Sequence, residues 1–466
     1  MKSSFAVVER RAEHAVKYFY SHLFWHNPGI REMFPPGFED MERQRDRLFA
    51  ALTHVVSHLD DPSLVPYLRD LGRDHRKFLV GAEHYAAVGT SLLAALAEAA
   101  GEAWTPAVEK AWGEAYQVIA DVMTAGAAES ADPPWWDAEI VRHLQYGRDI
   151  AVLTLLPHRR LPYSPGQYVS VSSGRVPTTW RTYSIGNAPR ADLTLDLHVS
   201  RIARGRLSNH LVREAQPGER LRLGAAGGAM TLRRDANRPV SFIAAGTGWA
   251  PVRAMLEELV ENPPQQDVRL FVVARDQPHL YDRPLIERLQ EQCRWLGVTY
   301  ITPAPGQHRN QATDRLATAL ATRGLWREQD VYLSGPPLFL DETAALLEDL
   351  GADPARVFYD AVPAPSGGDR VRPLGFGEWF LNRPRTHWYN PADRAPRPSS
   401  AGGHRTPPGI SPGSGLGPEF GPGPGPGASG GGAGPSGGSG SGHGSGPARE
   451  TGHGSGHGSG SGACPF

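Results

Sequence analysis

The chain has 466 residues, with 48 Lys and Arg against 49 Asp and Glu and a formal net charge of −1. That length suits several domains, and that balance gives no reason to expect nucleic acid or an anionic membrane as a partner. Two cysteines, Cys293 and Cys464, exclude a disulfide framework, and no apolar run approaches the ~18 residues that span a bilayer. The start, "MKSSFAVVERR", lacks a signal-peptide core, so a reduced, cytoplasmic protein is expected.

Residues 3 to about 130 read as helices. "AEHAVKYFYSHLFW" sets Val16, Phe19, Tyr20, Leu23 and Phe24 on one face at helical spacing. "MERQRDRLFAALTHVVSHL" sets Gln44, Leu48, Ala51, Leu52 and Val55 on another. In "SLVPYLRDLGRDHRKFL", Leu68, Leu71, His75, Phe78 and Leu79 share a face, so His75 turns inward. Thr105 suits a helix cap and Pro106 the first helical position. Beyond Pro134, "DIAVLTLLP", "GQYVSVSS", "RTYSI" and "LTLDLHVSR" are short, β-rich and bounded by turn residues, which predicts an antiparallel barrel or sandwich. After Asn237, strands such as "PVSFIAAGTG" and "DVRLFVVARD" alternate with helices, the pattern of a doubly wound α/β domain.

The last 66 residues hold 26 of the 54 glycines, in runs such as "GPGPGPGASGGGAGPSGG". They have too little to bury to offset the entropy of ordering. The expected division is a helical unit over 1–131, a β unit over 132–236, an α/β unit over 237–362 and a low-complexity tail over 363–466.

Three short motifs carry chemistry. In "FIAAGTGWAPVRAML" an apolar strand runs into Gly246-Thr247-Gly248 and a helix opens at Pro251. Glycines let backbone approach a phosphate, and the helix start supplies amides and a positive dipole end. "VYLSGPP" ends another strand in Gly335-Pro336, at the sheet edge where such folds bind ligands. "RTYSI" offers Arg181 as a forked donor for phosphate, Tyr183 as a flat ring and Ser184 as a small donor.

"RTYSI" resembles the flavin signature of the ferredoxin-reductase family. The order "PGQYVSV", "RTYSI", "GRLSNHL", "PGERLRLGAAGG", "AAGTGWAP", "LSGPP" is similar to that family throughout. The resemblance implies an FAD-binding β-barrel followed by an NAD(P)-binding domain. It places Arg181, Tyr183, Ser184, Ser208, Asn209, Gly227 and Gly228 on the flavin. It places Gly246, Thr247, Gly248, Pro251, Gly335 and Pro336 on the nicotinamide cofactor.

A helical unit ahead of such a reductase resembles a flavohaemoglobin. "FYSHLFWHNPGIREMF", "RQRDRLF", "DHRKFLVGAEHY" and "AWGEAY" are similar to its B, E, F and H segments. Periodicity alone fits His75 as a satisfied core histidine better than as a ligand. It fits Tyr20 as plain core and Gln44 as a surface residue beside a core Leu48. The resemblance implies instead that His75 ligates haem b iron, with Tyr20, Gln44 and Leu48 on the distal side and Tyr85 behind the ligand. His84 reads as solvated surface.

The sequence departs from that family twice. The glutamate that completes its proximal network aligns with Ala127, and Glu129 would point away. "FYDAVPAPSGG" replaces the aromatic residue that lies over the flavin after the last strand. Arg275, after the second α/β strand, fits either a 2′-phosphate contact or an exposed side chain.

The resemblance implies an enzyme with haem, FAD and NAD(P)H that converts nitric oxide and O₂ to nitrate. Small gases are its expected partners, with neither nucleic acid nor a membrane span, and a monomer or weak oligomer its expected state. An NAD(P)H-dependent flavin and haem reductase without that activity, or a haem-based gas sensor, are the other readings.

Overall fold

The computed structural model describes residues 1–36, 38–233, 238–303, 310–322 and 326–360. The glycine-rich tail expected over 363–466 lies outside them.

Seven helices come first: α1 (Lys2–Glu9), α2 (Ala12–His26), α3 (Pro28–Arg31), α4 (Phe38–Ser57), α5 (Leu64–His75), α6 (Ala82–Ala100) and α7 (Pro106–Glu129). The apolar stripe of α2 buries Val16, Phe19, Tyr20 and Leu23 against Phe49 of α4 and Leu92 and Leu96 of α6. Thr105 caps α7, its hydroxyl accepting from the Val108 amide at 3.3 Å, and Pro106 opens the helix. Helices α5 and α7 touch almost backbone to backbone. A Cβ on Gly72 would lie 2.0 Å from the Met123 carbonyl oxygen, and one on Gly126 2.5 Å from that of Arg69.

Helix α5 stops at His75. A 3₁₀ turn, Arg76–Phe78, follows, and Leu79 takes a left-handed φ of 58°. Leu79 therefore leaves the buried face expected of it and is 66% exposed. The helical period that places it inward does not continue past His75.

The β unit contains β1 (Trp136–Tyr146), β2 (Ile150–Pro157), β3 (Tyr168–Ser173), β4 (Val176–Ser184), β5 (Leu195–Ser200), α8 (Arg206–Arg213) and β6 (Arg220–Leu223). The sheet order is β4-β3-β6-β1-β2-β5, with every pairing antiparallel. A bridge between Ile185 and Leu197 draws the two edges together, so the sheet curls towards a barrel and α8 packs against both ends. Its interior is aliphatic: Ile140, Leu153, Leu155, Val169, Val171, Leu195, Leu197 and Leu221 are all fully buried.

The α/β unit runs β7 (Val240–Ala245), α9 (Trp249–Glu261), β8 (Val268–Val273), α10 (Arg283–Gln292), β9 (Leu296–Ile301), α11 (Asn310–Ala321), β10 (Asp330–Ser334), α12 (Pro337–Asp349) and β11 (Val357–Phe358). All pairings are parallel, in the order β11-β10-β7-β8-β9. The chain winds outward from β7 on one side and then returns to β10 on the other. The carboxyl ends of β7 and β10 thus flank the switch point of a doubly wound sheet. Ile150, Val152 and Met230 of the barrel join the core of Phe242, Trp249 and Tyr281, so the two units share apolar packing.

Among the described residues, no single helix is long and apolar enough to cross a membrane.

The α5–α7 contact leaves no room for a side chain at residue 72. Gly72→Leu is expected to destabilise the helical unit by about 3 kcal/mol, the upper range for overpacking. Urea unfolding followed by far-UV circular dichroism reads this directly. A midpoint equal to that of the unchanged protein would contradict the close approach.

Candidate functional site

His75 sits at the last turn of α5. Its Nδ1 lies 2.7 Å from the Leu71 carbonyl oxygen, which can only accept, so Nδ1 carries the proton and Nε2 keeps its lone pair. Burial holds the imidazole below its usual pKa, so it is neutral at neutral pH. A neutral, oriented imidazole with a free Nε2 is the donor that a haem iron takes, and the residues present fit that group. The partner behind it is a backbone carbonyl. Among the described residues no hydrogen bond links the Tyr85 hydroxyl to His75; the Tyr85 carbonyl accepts from the Tyr116 hydroxyl. Glu129 points away and pairs with Arg69 at 3.1 Å. His84 is not free surface: its Nδ1 accepts from the Gly81 amide at 2.8 Å and caps α6.

Tyr20 and Gln44 meet. The buried Tyr20 hydroxyl donates to the Gln44 carbonyl at 3.3 Å and also bonds the Gln44 side chain. Burial raises the phenol well above its ordinary pKa, so it remains a donor. Phe24 and Phe34 surround its ring, with centroids 5.6 and 5.7 Å away. Leu48 is partly buried against the same helical core. Phe34 has no signal in the periodicity, since it follows the short α3 in a turn.

In the barrel, β4 carries Arg181, Tyr183 and Ser184 together. Strand alternation puts Arg181 and Tyr183 on one face and Ser184 on the other. Arg181 donates to the Trp180 carbonyl at 2.8 Å. Burial raises the Tyr183 hydroxyl far above its usual pKa. Ser208 and Asn209 turn their side chains onto the preceding loop. Ser208 Oγ accepts from the Ile202 amide at 3.1 Å, and Asn209 Nδ2 donates to the Gly205 carbonyl at 2.7 Å. They brace the start of α8, so what they leave for a pyrophosphate is the loop and backbone they shape. Gly227 pairs with Tyr168 through both backbone bonds, and Gly228 turns at φ 102°. A Cβ there would fall 2.4 Å from Asp360 Oδ2 and 3.0 Å from the Tyr168 ring. Gly227 bridges Tyr168, which pairs with Ser184 of β4, so the tight glycine turn lies at the end of the strand that carries Arg181 and Tyr183, a set that fits a flavin and its phosphates.

At the switch point, Gly246–Gly248 form a 3₁₀ turn, with Gly246 at φ 57°. Helix α9 then begins at Trp249, two residues before the expected Pro251, because the turn runs straight into it. Gly335 follows β10, and Pro336 caps α12. A Cβ on Gly248 would lie 2.2 Å from the Ser334 carbonyl, so the two loops abut. Thr247 is part-exposed between them. Bare backbone and a helix start at this edge fit a dinucleotide phosphate.

A buried charge cluster joins barrel and α/β unit. Asp196 accepts from Thr154 at 2.7 Å and Arg190 at 2.9 Å, and Arg253 of α9 approaches it at 3.3 Å. Glu257 accepts from the Ala188 amide at 2.8 Å. His198 bonds the Tyr281 hydroxyl at 2.7 Å and faces Arg253 at 3.3 Å. Arg275 is exposed and pairs with Asp149 of the barrel at 2.8 Å. Asp360, beyond β11, accepts from the Ala229 amide at 3.0 Å, and so ties the end of the α/β unit to the glycine turn. Reasoning from sequence misses Asp360, whose only clue is its place after the last strand.

The fold and these sites define a class: a globin joined to a flavin- and nicotinamide-binding oxidoreductase. Residues 17–123 match the globin family, 137–231 the oxidoreductase FAD-binding domain and 242–344 the oxidoreductase NAD-binding domain. A flavohemoprotein of Chromobacterium violaceum is 31% identical over 398 residues, covering 79% of this chain and 98% of that protein. One from Bordetella parapertussis is 29% identical over 390 residues, covering 77% of this chain and 95% of that protein. The chain belongs to the flavohaemoprotein family. In fold it is similar to a flavohemoglobin of Malassezia yamatoensis solved with bound FAD and haem, with a TM-score of 0.63 at 20% identity. That match covers 78% of this chain and 99% of the other.

The cluster between barrel and α/β unit has a pH signature. Burial, then the neighbouring Arg253, pushes His198 down to about 3 from 6.5. Between these values the unfolded chain binds a proton that the folded one does not. The stability His198 confers is therefore complete above about 6.5 and is lost as pH falls towards 3. His198→Gln is expected to flatten the fall of the urea midpoint across that window. An unchanged slope would contradict a neutral, buried His198.

Proposed function

We propose that the protein is an NAD(P)H-dependent nitric oxide dioxygenase, which takes NAD(P)H, O₂ and nitric oxide to NAD(P)⁺ and nitrate. The single observation that carries this reading is the pairing, in one globin unit, of an oriented neutral His75 with a buried Tyr20 donor held by Gln44. When bound, FAD would accept the hydride and part it into single electrons, and haem would supply the iron at which the two gases meet.

The chain's own residues do the rest. Gly246, Thr247, Gly248 and the start of α9 receive the nicotinamide phosphates, with Pro251 shaping that helix and Gly335-Pro336 closing the opposite side. Arg181, Gly227 and Gly228 take the flavin phosphates, with Ser208 and Asn209 bracing the loop beside them. Tyr183 would offer its flat ring to the flavin, and Ser184 a small donor that would leave the reactive edge open. His75 would hold the haem iron through its Nε2. Tyr20 keeps its proton, which the Gln44 carbonyl holds in this structure, and would turn it towards charge that develops on the oxygen side. Gln44 holds that hydroxyl, Leu48 keeps the distal side apolar, and Tyr85 packs behind the ligand segment.

One observation favours a second reading, a flavin and haem reductase without nitric oxide turnover. The partner of His75 Nδ1 is the Leu71 carbonyl and not a carboxylate, which leaves the imidazole a weaker donor to iron.

His75→Ala is expected to abolish the Soret band while leaving the flavin band in place; an unchanged Soret band would sink the assignment. Tyr20→Phe should leave both bands intact. It should raise the O₂ concentration giving half-maximal nitric oxide consumption by on the order of tenfold, the value of one hydrogen bond to a charged group. No change in that concentration would remove Tyr20 from the distal role.

A further inference from the structure

The segment after His75 carries an unusual lysine. Lys77 is only 9% exposed, although lysines seldom bury their ammonium. Its Nζ lies 2.5 Å from Asp74 Oδ1, one turn back on the same segment. It also donates to Ser170 Oγ on β3 of the barrel at 3.1 Å. Two rings enclose it: the Phe78 centroid is 5.3 Å from Nζ and the Trp180 centroid 5.6 Å. Phe78 and Trp180 meet edge to face, 6.3 Å apart. Gly224 leaves room for the Ser170 hydroxyl, since a Cβ there would lie 2.2 Å from Ser170 Oγ.

The partners have a common address. Ser170 pairs across the sheet with Thr182, the second residue of "RTYSI", and Trp180 immediately precedes that motif. By strand alternation, Trp180 and Thr182 lie on the face opposite Arg181 and Tyr183. Lys77 thus grips the back of the strand assigned to the flavin, two residues from the residue assigned to haem. Asp74 compensates the charge, the rings shield it and Ser170 supplies the cross-domain bond. Arg76 adds a second tether, donating to the Asp132 carbonyl at 2.7 Å in the connection between the two units.

We propose that Lys77 is a positioning residue: it locks the His75 segment onto the flavin-signature strand and thereby sets the rate of electron crossing between the two units. The inference rests on the haem and flavin roles given above. NAD(P)H is the reductant and ferric haem iron the acceptor. One hydride supplies two one-electron crossings and leaves one proton to solvent.

The test is stopped-flow reduction of the holoprotein by NAD(P)H, with hydrogen exchange read by mass spectrometry on the same samples. Lys77→Met should keep the Soret band and the flavin reduction rate of the unchanged protein. Its haem reduction should slow about tenfold or more, as expected when two reacting centres lose their register. Exchange at residues 74–79 and 168–173 should rise together, and Lys77→Arg should restore most of both effects. Haem reduction and exchange equal to the unchanged protein would overturn the proposal. If Lys77→Met fails to fold, Ser170→Ala, which keeps the Lys77–Asp74 pair, must show the same two changes, and their absence overturns it. If the unchanged protein never reduces haem, the functional reading falls, while the exchange comparison still decides whether Lys77 locks the segment.

Discussion

Helix α5 stops at His75, and the arrangement of the redox half of the molecule follows from that stop. Upstream, Gly72 presses the helix onto α7 with no side chain between them. At the stop, the Leu71 carbonyl one turn back offers its second lone pair to His75 Nδ1. Downstream, the chain turns through 3₁₀ geometry, exposes Leu79 and delivers Lys77 and Phe78 to the barrel. One more helical turn would carry Lys77 and Phe78 elsewhere. The same few residues therefore orient the His75 imidazole and join the globin to the reductase.

The second junction is built differently. Barrel and α/β unit share apolar packing through Ile150, Val152 and Met230, and within it they bury Asp196, Glu257 and His198 beside a partly buried Arg253. Burying charge costs several kcal/mol per ion unless geometry and hydrogen bonds offset it. Here Thr154, Arg190 and the Ala188 amide do so. Such a cluster tolerates little sliding, which suits two sites that must pass a hydride at contact distance.

The reductase half is legible in the sequence because its sites are turns. Gly246-Thr247-Gly248 and Gly335-Pro336 are needed for backbone reasons that composition displays, and alternation separates the two sheets cleanly. The globin site is far less legible. Six other histidines precede residue 90, and a helical stripe says only that His75 turns inward. Periodicity also carries Leu79 inward, because nothing local announces that the helix ends four residues earlier. His84 reads as surface, since a histidine serving as a helix cap has no distinctive spacing. Arg275 with Asp149, and Asp360 with Ala229, are long-range pairings set by how the units dock. Ala127 can be read in advance as a departure from the family; that a backbone carbonyl serves His75 is visible only in three dimensions.

The claim at the centre of this account is that one chain couples NAD(P)H oxidation to the joint consumption of nitric oxide and O₂. A nitric oxide electrode on the purified holoprotein tests it most directly, with nitrate measured at the end. The account predicts consumption only when NAD(P)H and O₂ are both present, with nitrate formed in step with nitric oxide lost. Oxidation of NAD(P)H with reduction of the haem, but with no nitric oxide consumed and no nitrate formed, would contradict it.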